Sequence, residues 1–173
     1  MLTDKEFEEF YAGSYKRIYN YFYYVTMNHH TSEDLTSITF LKFYGYADSF
    51  DEKLSSKLTF ALKIARNVAI DYFRKNKDRE QLIGSDEEPK TSGEEAYEFE
   101  SSLVDRMLLK KILSELNGRE RQIIYYKYYL NMRSEEISDI MNLSVTNVTS
   151  ICSRSLKKAK KIYENLENDV TKR

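Results

Sequence analysis

The chain of 173 residues carries 27 Lys and Arg against 28 Asp and Glu, and 41% of its residues are hydrophobic, which excludes a disordered polymer for most of its length. Only 5 glycines and 1 proline accompany 32% charged residues, so an all-α fold is expected rather than a turn-rich sandwich or βαβ fold. No apolar run reaches eighteen residues and the first ten are acidic and polar, which predicts a cytoplasmic protein without membrane insertion.

Charge is segregated along the chain although its sum is only −1. Residues 1–56 carry a net −4, residues 57–79 carry +5, residues 80–105 carry −8 and residues 106–173 carry +6. Two basic blocks that flank an acidic one favour two separate protein surfaces that bind a polyanion such as DNA. The alternative is that each block is ordinary charged surface in contact with solvent. The stretch from Gly84 to Glu100 holds the only proline and no apolar periodicity, which predicts an acidic linker between two domains.

In the first domain, apolar side chains recur at helical intervals and predict a core-facing stripe. Its members are Phe7, Tyr11, Tyr15, Ile18 and Phe22. A second helix is expected to begin at Thr31 or Ser32, where TSED offers an N-cap hydroxyl. It is expected to run through Leu35, Ile38, Phe40, Leu41 and Tyr44, with a loop from Gly45 to Ser56 after it.

A third helix is expected over about residues 58–77. Its predicted buried side contains Leu58, Ala61, Leu62, Ala65, Ala69 and Tyr72. The opposite side is polar apart from one aromatic ring and contains Phe60, Lys63, Asn67, Asp71 and Arg74.

Beyond the linker, helical spacing predicts helices over 103–116 and 119–130, with Asn131 as a left-handed terminator. A short helix over 134–141, the turn NLS and a last helix capped by Ser144 and continuing to about Asn165 form a helix-turn-helix. The last helix is predicted to bury Val145, Val148, Cys152, Leu156, Ala159 and Tyr163. Its far face is predicted to contain Thr146, Asn147, Ser150, Arg154, Lys157 and Lys161.

That far face suits DNA, because Asn pairs with adenine and Arg with guanine in the major groove while lysines meet phosphates. The alternative is an amphipathic helix with a solvated face. Nothing in the sequence forms a catalytic or metal constellation: His29 and His30 are adjacent and suit a polar turn, Cys152 is a lone core residue, and no Gly-rich phosphate loop occurs. We therefore expect no enzyme activity, cofactor, metal or small-molecule substrate.

Two segments of the chain together carry a family resemblance. The first is SEDLTSITFLKFYGYADSF followed by FALKIARNVAIDYFRK, and the second is LSELNGRERQIIYYKYYLNMRSEEISDIMNLSVTNVTSICSRSLKKAKK. The first resembles region 2 and the second region 4 of the sigma factors of the sigma-70 family, in particular the extracytoplasmic-function (ECF) group. The resemblance implies region 2 over 1–80, the acidic linker over 81–105 and region 4 over 106–173. It also implies two partners, core RNA polymerase through its β′ and β subunits and promoter DNA, together with an anti-sigma factor.

The resemblance and the polar helix faces described above together assign roles to individual positions. Core-polymerase binding falls on Asp34, Leu35 and Phe40. Binding of the −10 element falls on Phe60, Lys63, Arg66, Asn67 and Arg74, and the loop 47–57 is associated with capture of a flipped base. Binding of the −35 element falls on Ser144, Thr146, Asn147, Ser150, Arg154 and Lys157.

The function expected is that of a sigma factor, which directs core polymerase to promoters and assists their opening. One alternative is a stand-alone helix-turn-helix regulator whose first domain senses or dimerises. Another is a polymerase-binding protein that does not initiate. The polar side of the third helix favours the sigma factor, because a dimerisation domain leaves it unexplained.

Overall fold

The computed structural model describes residues 3–82 and 103–171, and these two ranges contain helices and no strand, which confirms the all-α fold class. The chain divides into two compact units, Met1–Gly93 and Glu94–Arg173, called here the N-terminal and C-terminal units. The expected linker over Gly84 to Glu100 falls outside the described residues.

The N-terminal unit packs three helices against one another. They are α1 (Asp4–Thr26), α2 (His29–Gly45) and α3 (Lys57–Leu82), with a 3₁₀ turn at Ala47–Ser49. The ring of Phe43 is fully buried where the three meet, with centroids 4.6 Å from Phe10 of α1 and 5.8 Å from Phe60 of α3. Of the predicted stripe on α1, Ile18 and Phe22 are buried.

Helix α2 begins earlier than the sequence suggested. Its N-cap is Asn28, whose side-chain oxygen accepts the backbone N–H of Thr31 at 2.9 Å, so the predicted start at Thr31 or Ser32 is wrong. The two histidines therefore occupy the first turn of α2 instead of an interhelix turn, and His29 Nδ1 lies 2.5 Å from the Tyr19 hydroxyl. Asn and Ser are equally good caps, so local sequence could not choose between them.

Removing this cap gives a direct test of the observed boundary. We expect Asn28→Ala to lower the free energy of unfolding by about 1 kcal/mol, because the N–H of Thr31 loses its partner. Thr31→Ala is the matched control and should cost less, because the Thr31 side chain is not the cap. Chemical denaturation followed by circular dichroism measures both; a larger loss for Thr31→Ala would place the cap back at the predicted residue.

The inner face of α2 carries hydroxyl side chains where larger apolar ones would be expected. Ser32, Thr36 and Thr39 are fully buried, and each donates its hydroxyl to the carbonyl four residues earlier, at 2.6 to 2.8 Å. These bonds satisfy the buried oxygens, and the small side chains permit close packing. The larger apolar residues Ile38 and Leu41 consequently face outward, 40% and 74% exposed.

The C-terminal unit contains α4 (Leu103–Glu115), α5 (Gly118–Ile124), α6 (Ser134–Met141) and α7 (Val145–Thr171). The predicted single helix over 119–130 is interrupted, because a π-helical turn occupies Tyr125–Tyr129 and the N–H of Leu130 bonds to the carbonyl of Tyr125 at 3.1 Å. The wider turn places both Tyr125 and Tyr126 fully in the core. Asn131 has φ 52°, which confirms the predicted left-handed terminator.

Candidate nucleic-acid interface

The turn between α6 and α7 is fixed by local hydrogen bonds. Asn142 ends α6 with φ 51°, and the hydroxyl of Ser138 donates to the carbonyl of Leu143 at 2.6 Å. Ser144 then caps α7, since its Oγ accepts the N–H of Asn147 at 3.2 Å. The predicted short helix, three-residue turn and serine cap are therefore confirmed, and together they set the direction in which α7 leaves the turn.

The far face of α7 is exposed at the positions that the sequence indicated. These are Thr146, Asn147, Ser150, Arg154, Lys157 and Lys161, and the capping residue Ser144 is exposed as well. The guanidinium of Arg154 makes only a 3.4 Å contact with the carbonyl of Ser150. The structure thus brings an amide, hydroxyls and cations onto one solvent-facing ridge, as recognition of base edges and phosphates requires.

The buried face of α7 differs in part from the prediction. Val148 and Cys152 are buried as expected, but Val145, Leu156 and Tyr163 are each 40% exposed, so their predicted burial is wrong. The fully buried Ser155 lies closer to the centre of the packed face and donates its hydroxyl to the Ile151 carbonyl at 2.8 Å. An internal hydrogen bond makes a serine compatible with the core, which a hydrophobicity pattern does not register.

One of the lysines on α7 has a structural partner. Lys158 Nζ donates to the backbone carbonyl of Glu115 and lies 3.8 Å from the carboxylate of Glu120. It ties α7 to α4 and α5, whereas Lys157 and Lys161 lie on the exposed ridge.

The polar side of α3 carries the candidate residues of the N-terminal unit. Asn67 and Arg74 are exposed, and Lys63 and Arg66 are half-buried. The guanidinium of Arg74 lies 3.0 Å from the carboxylate of Asp71, so its charge is partly neutralised.

Phe60 does not project freely from this side. Its ring is half-buried and lies 5.8 Å from the ring of Phe43 and 5.2 Å from that of Phe50. The predicted placement of Phe60 opposite the core is therefore wrong, because Phe50 of the α2–α3 loop and Phe43 of α2 both pack against its ring. Its ring anchors the loop.

The candidate polymerase-binding residues on α2 separate into two environments. Asp34 is exposed, but Leu35 and Phe40 are 4% and 3% exposed and lie in the core. The ring of Phe40 lies 4.7 Å from that of Tyr11 and holds α2 against α1. The exposed ridge instead runs through Asp34, Ile38 and Leu41, spaced four and three residues apart on one face.

Sequence reasoning did not assign Ile38 and Leu41 to a site. A signal was present, because Ser32, Thr36 and Thr39 also have helical spacing. Such a row of small hydroxyl side chains can be buried by bonding to the preceding turn. Reading that row as the inner face would have placed Ile38 and Leu41 outside.

Comparison with known proteins agrees with this geometry. Residues 10–79 match the family described as Sigma-70 region 2, and residues 106–158 match that described as Sigma-70, region 4. The ECF RNA polymerase sigma factor SigM of Bacillus subtilis is 31% identical over 169 residues, which cover 94% of this chain and 98% of SigM. The chain belongs to the sigma-70 family, in its ECF group. It functions as an RNA polymerase sigma factor in transcription initiation.

Other relatives of this sigma factor also match it over most of their length. The ECF RNA polymerase sigma factor SigX of Bacillus subtilis is 23% identical over 172 residues, covering 96% of this chain and 88% of SigX. The sigma factor RpoE of Bartonella quintana, solved in complex with the anti-sigma factor NepR, superposes with a TM-score of 0.80 at 20% identity, covering 92% of this chain and 98% of RpoE. That likeness establishes the shared fold.

Two further features of this sigma factor are a contact between a thiol and a phenol and the polarity of its helices. Cys152 Sγ lies 3.8 Å from the hydroxyl of Tyr128, and partial burial together with this contact raises the pKa of the Tyr128 phenol. Across 3–82 and 103–171, the helices are too short or too polar to cross a membrane.

Proposed function

We propose that the sigma factor docks on core RNA polymerase through the exposed ridge of α2, formed by Asp34, Ile38 and Leu41. Support comes from the orientation of α2, whose hydroxyl side chains face the core while Leu41 is 74% exposed to solvent. Apolar side chains surrounded by polar ones are typical of protein-binding surfaces. Leu35 and Phe40 act by holding α2 in position, and the β′ subunit is the partner that the family resemblance implies.

The polar side of α3 holds the −10 element in this proposal. Lys63 and Arg66 supply positive charge for the phosphates of the unpaired strand, and the exposed amide of Asn67 is available to a base edge. Phe60 supports the loop that precedes α3, and Arg74 adds a weaker charge because Asp71 pairs with it.

Helix α7 reads the −35 element in the same proposal, and its exposed face is the observation that carries the assignment. Thr146, Asn147 and Ser150 lie within the first two turns, where a recognition helix meets base edges. Arg154 and Lys157 follow on the same side and are available to phosphates or a guanine. Ser144 both caps the helix and stands at its groove-facing end.

The proposal includes control by an anti-sigma factor in the cytoplasm, without catalysis by the sigma factor itself. The structural relative RpoE was solved with the anti-sigma factor NepR. A protein partner would cover apolar surface such as Leu41 on α2, and thereby compete with polymerase.

Run-off transcription tests the proposed function. Purified core polymerase is incubated with and without the protein on a pool of promoter fragments that includes the region upstream of its own gene. We expect transcripts that depend on the protein and start at defined sites. Binding of polymerase without transcripts would instead favour an occupying factor, and salt-sensitive binding of DNA by the protein alone would favour a stand-alone regulator.

A further inference from the structure

The first two turns of α7 expose two side chains that lie outside the polar ridge of that helix. Val145, which was predicted to be buried, is 40% exposed, and Thr149 is exposed as well. Because they are four residues apart, their side chains are neighbours on one flank of the helix. This flank adjoins the polar ridge, since Thr146 lies three residues before Thr149.

The hydroxyl of Thr149 is used within the helix itself. Its Oγ1 donates to the carbonyl of Val145 at 2.9 Å. The rotamer that makes this bond holds the hydroxyl against the preceding turn, so the γ-methyl group is turned away from that carbonyl. A hydroxyl has only one proton to donate, and this one is already bonded, which disfavours a phosphate contact. Thr149 therefore offers DNA chiefly an apolar group whose direction is fixed before binding.

The γ-methyl group of Thr149 and the side chain of Val145 together form a small apolar surface, called here the methyl patch. It lies in the N-terminal turns of α7, the part of a recognition helix that meets base edges in the major groove. Among the base edges of that groove, thymine is the one that carries a methyl group, and threonine methyls are among its usual partners.

We propose that the methyl patch reads one thymine of the −35 element through its C5-methyl group. This inference rests on the proposed function of α7 and adds Thr149 to it as a specificity-determining residue. Burying two apolar groups against each other removes both from water, and no ordering of the Thr149 side chain is needed on binding.

The test replaces single thymines of the −35 element, on either strand, by deoxyuridine, which lacks only the C5-methyl group. Reconstituted holoenzyme binds the promoter that it transcribes most strongly, and competition compares each substituted duplex with the unmodified one. We expect one position at which uracil weakens wild-type binding about fourfold, because about one methyl group is no longer buried.

Thr149→Ser keeps the hydroxyl and removes the methyl group. This variant should bind the unmodified promoter about fourfold more weakly than the wild type, and uracil at the same position should weaken its binding less than about twofold. Its melting temperature should match that of the wild type, because serine can form the same bond to the Val145 carbonyl.

Two variants control for other effects. Thr149→Val keeps a γ-methyl group without the hydroxyl and should retain the full uracil effect. Ser153→Ala changes the exposed side chain one turn further along the same flank and should retain it as well.

The outcomes separate this inference from the function on which it rests. An undiminished uracil effect in Thr149→Ser, or no uracil effect on the wild type at any thymine, would overturn the assignment of Thr149. A −35 element without an A·T pair would overturn it too. Equal affinity of wild-type holoenzyme for a promoter with a scrambled −35 element would instead reject the proposed role of α7, and the methyl patch with it.

Discussion

Leu41→Glu is expected to reduce the affinity of the sigma factor for core polymerase by at least about thirtyfold, because a charge would replace a central apolar contact of the α2 ridge. The side chain is 74% exposed, so the melting temperature should stay near that of the wild type. Binding is measured with purified core enzyme by fluorescence anisotropy of labelled protein.

Leu35→Ala is the matched control for Leu41→Glu on the same helix. Leu35 is only 4% exposed, and its truncation should lower the free energy of unfolding by about 2 to 5 kcal/mol. At a temperature where this variant remains folded, its affinity for polymerase should be close to that of the wild type. If Leu41→Glu bound polymerase normally while Leu35→Ala did not, direct docking through the α2 ridge would be rejected.

Asn147→Ala is expected to weaken recognition of the −35 element by about 1 to 3 kcal/mol and to relax sequence preference at one position. The amide lies on the exposed face of the first turns of α7, where pairing with adenine is possible. The measurement is competition between the wild-type promoter and single-base variants of its −35 element for reconstituted holoenzyme.

Lys157→Ala provides the contrast within the same helix. Loss of a phosphate contact should weaken binding to all promoter variants about equally and lower the slope of log affinity against log salt by about 1. A uniform effect from Asn147→Ala, or a position-specific effect from Lys157→Ala, would contradict the division of roles along α7.

Local interactions made much of the fold predictable. The spacing of apolar residues predicted the order and approximate extent of most helices, and α6 lies at its predicted position, Ser134–Met141. Asn131 and Ser144 were assigned correctly because a left-handed terminator and an N-cap depend on residues within one turn. The exposed face of α7 could be predicted in the same way, since its polar side chains recur with the helical period.

Long-range packing decided the rest. Whether Phe60 faces solvent depends on Phe50, which folds back from the loop, and whether Leu35 or Leu41 is buried depends on which face of α2 meets α1. Hydrophobicity favours either leucine equally. The sequence by itself determined the all-α class, the order of the helices, the caps at Asn131 and Ser144, and the family. Only the tertiary structure decided which side chains are free to meet a partner, because internally bonded hydroxyls such as that of Thr36 can replace apolar groups in a core.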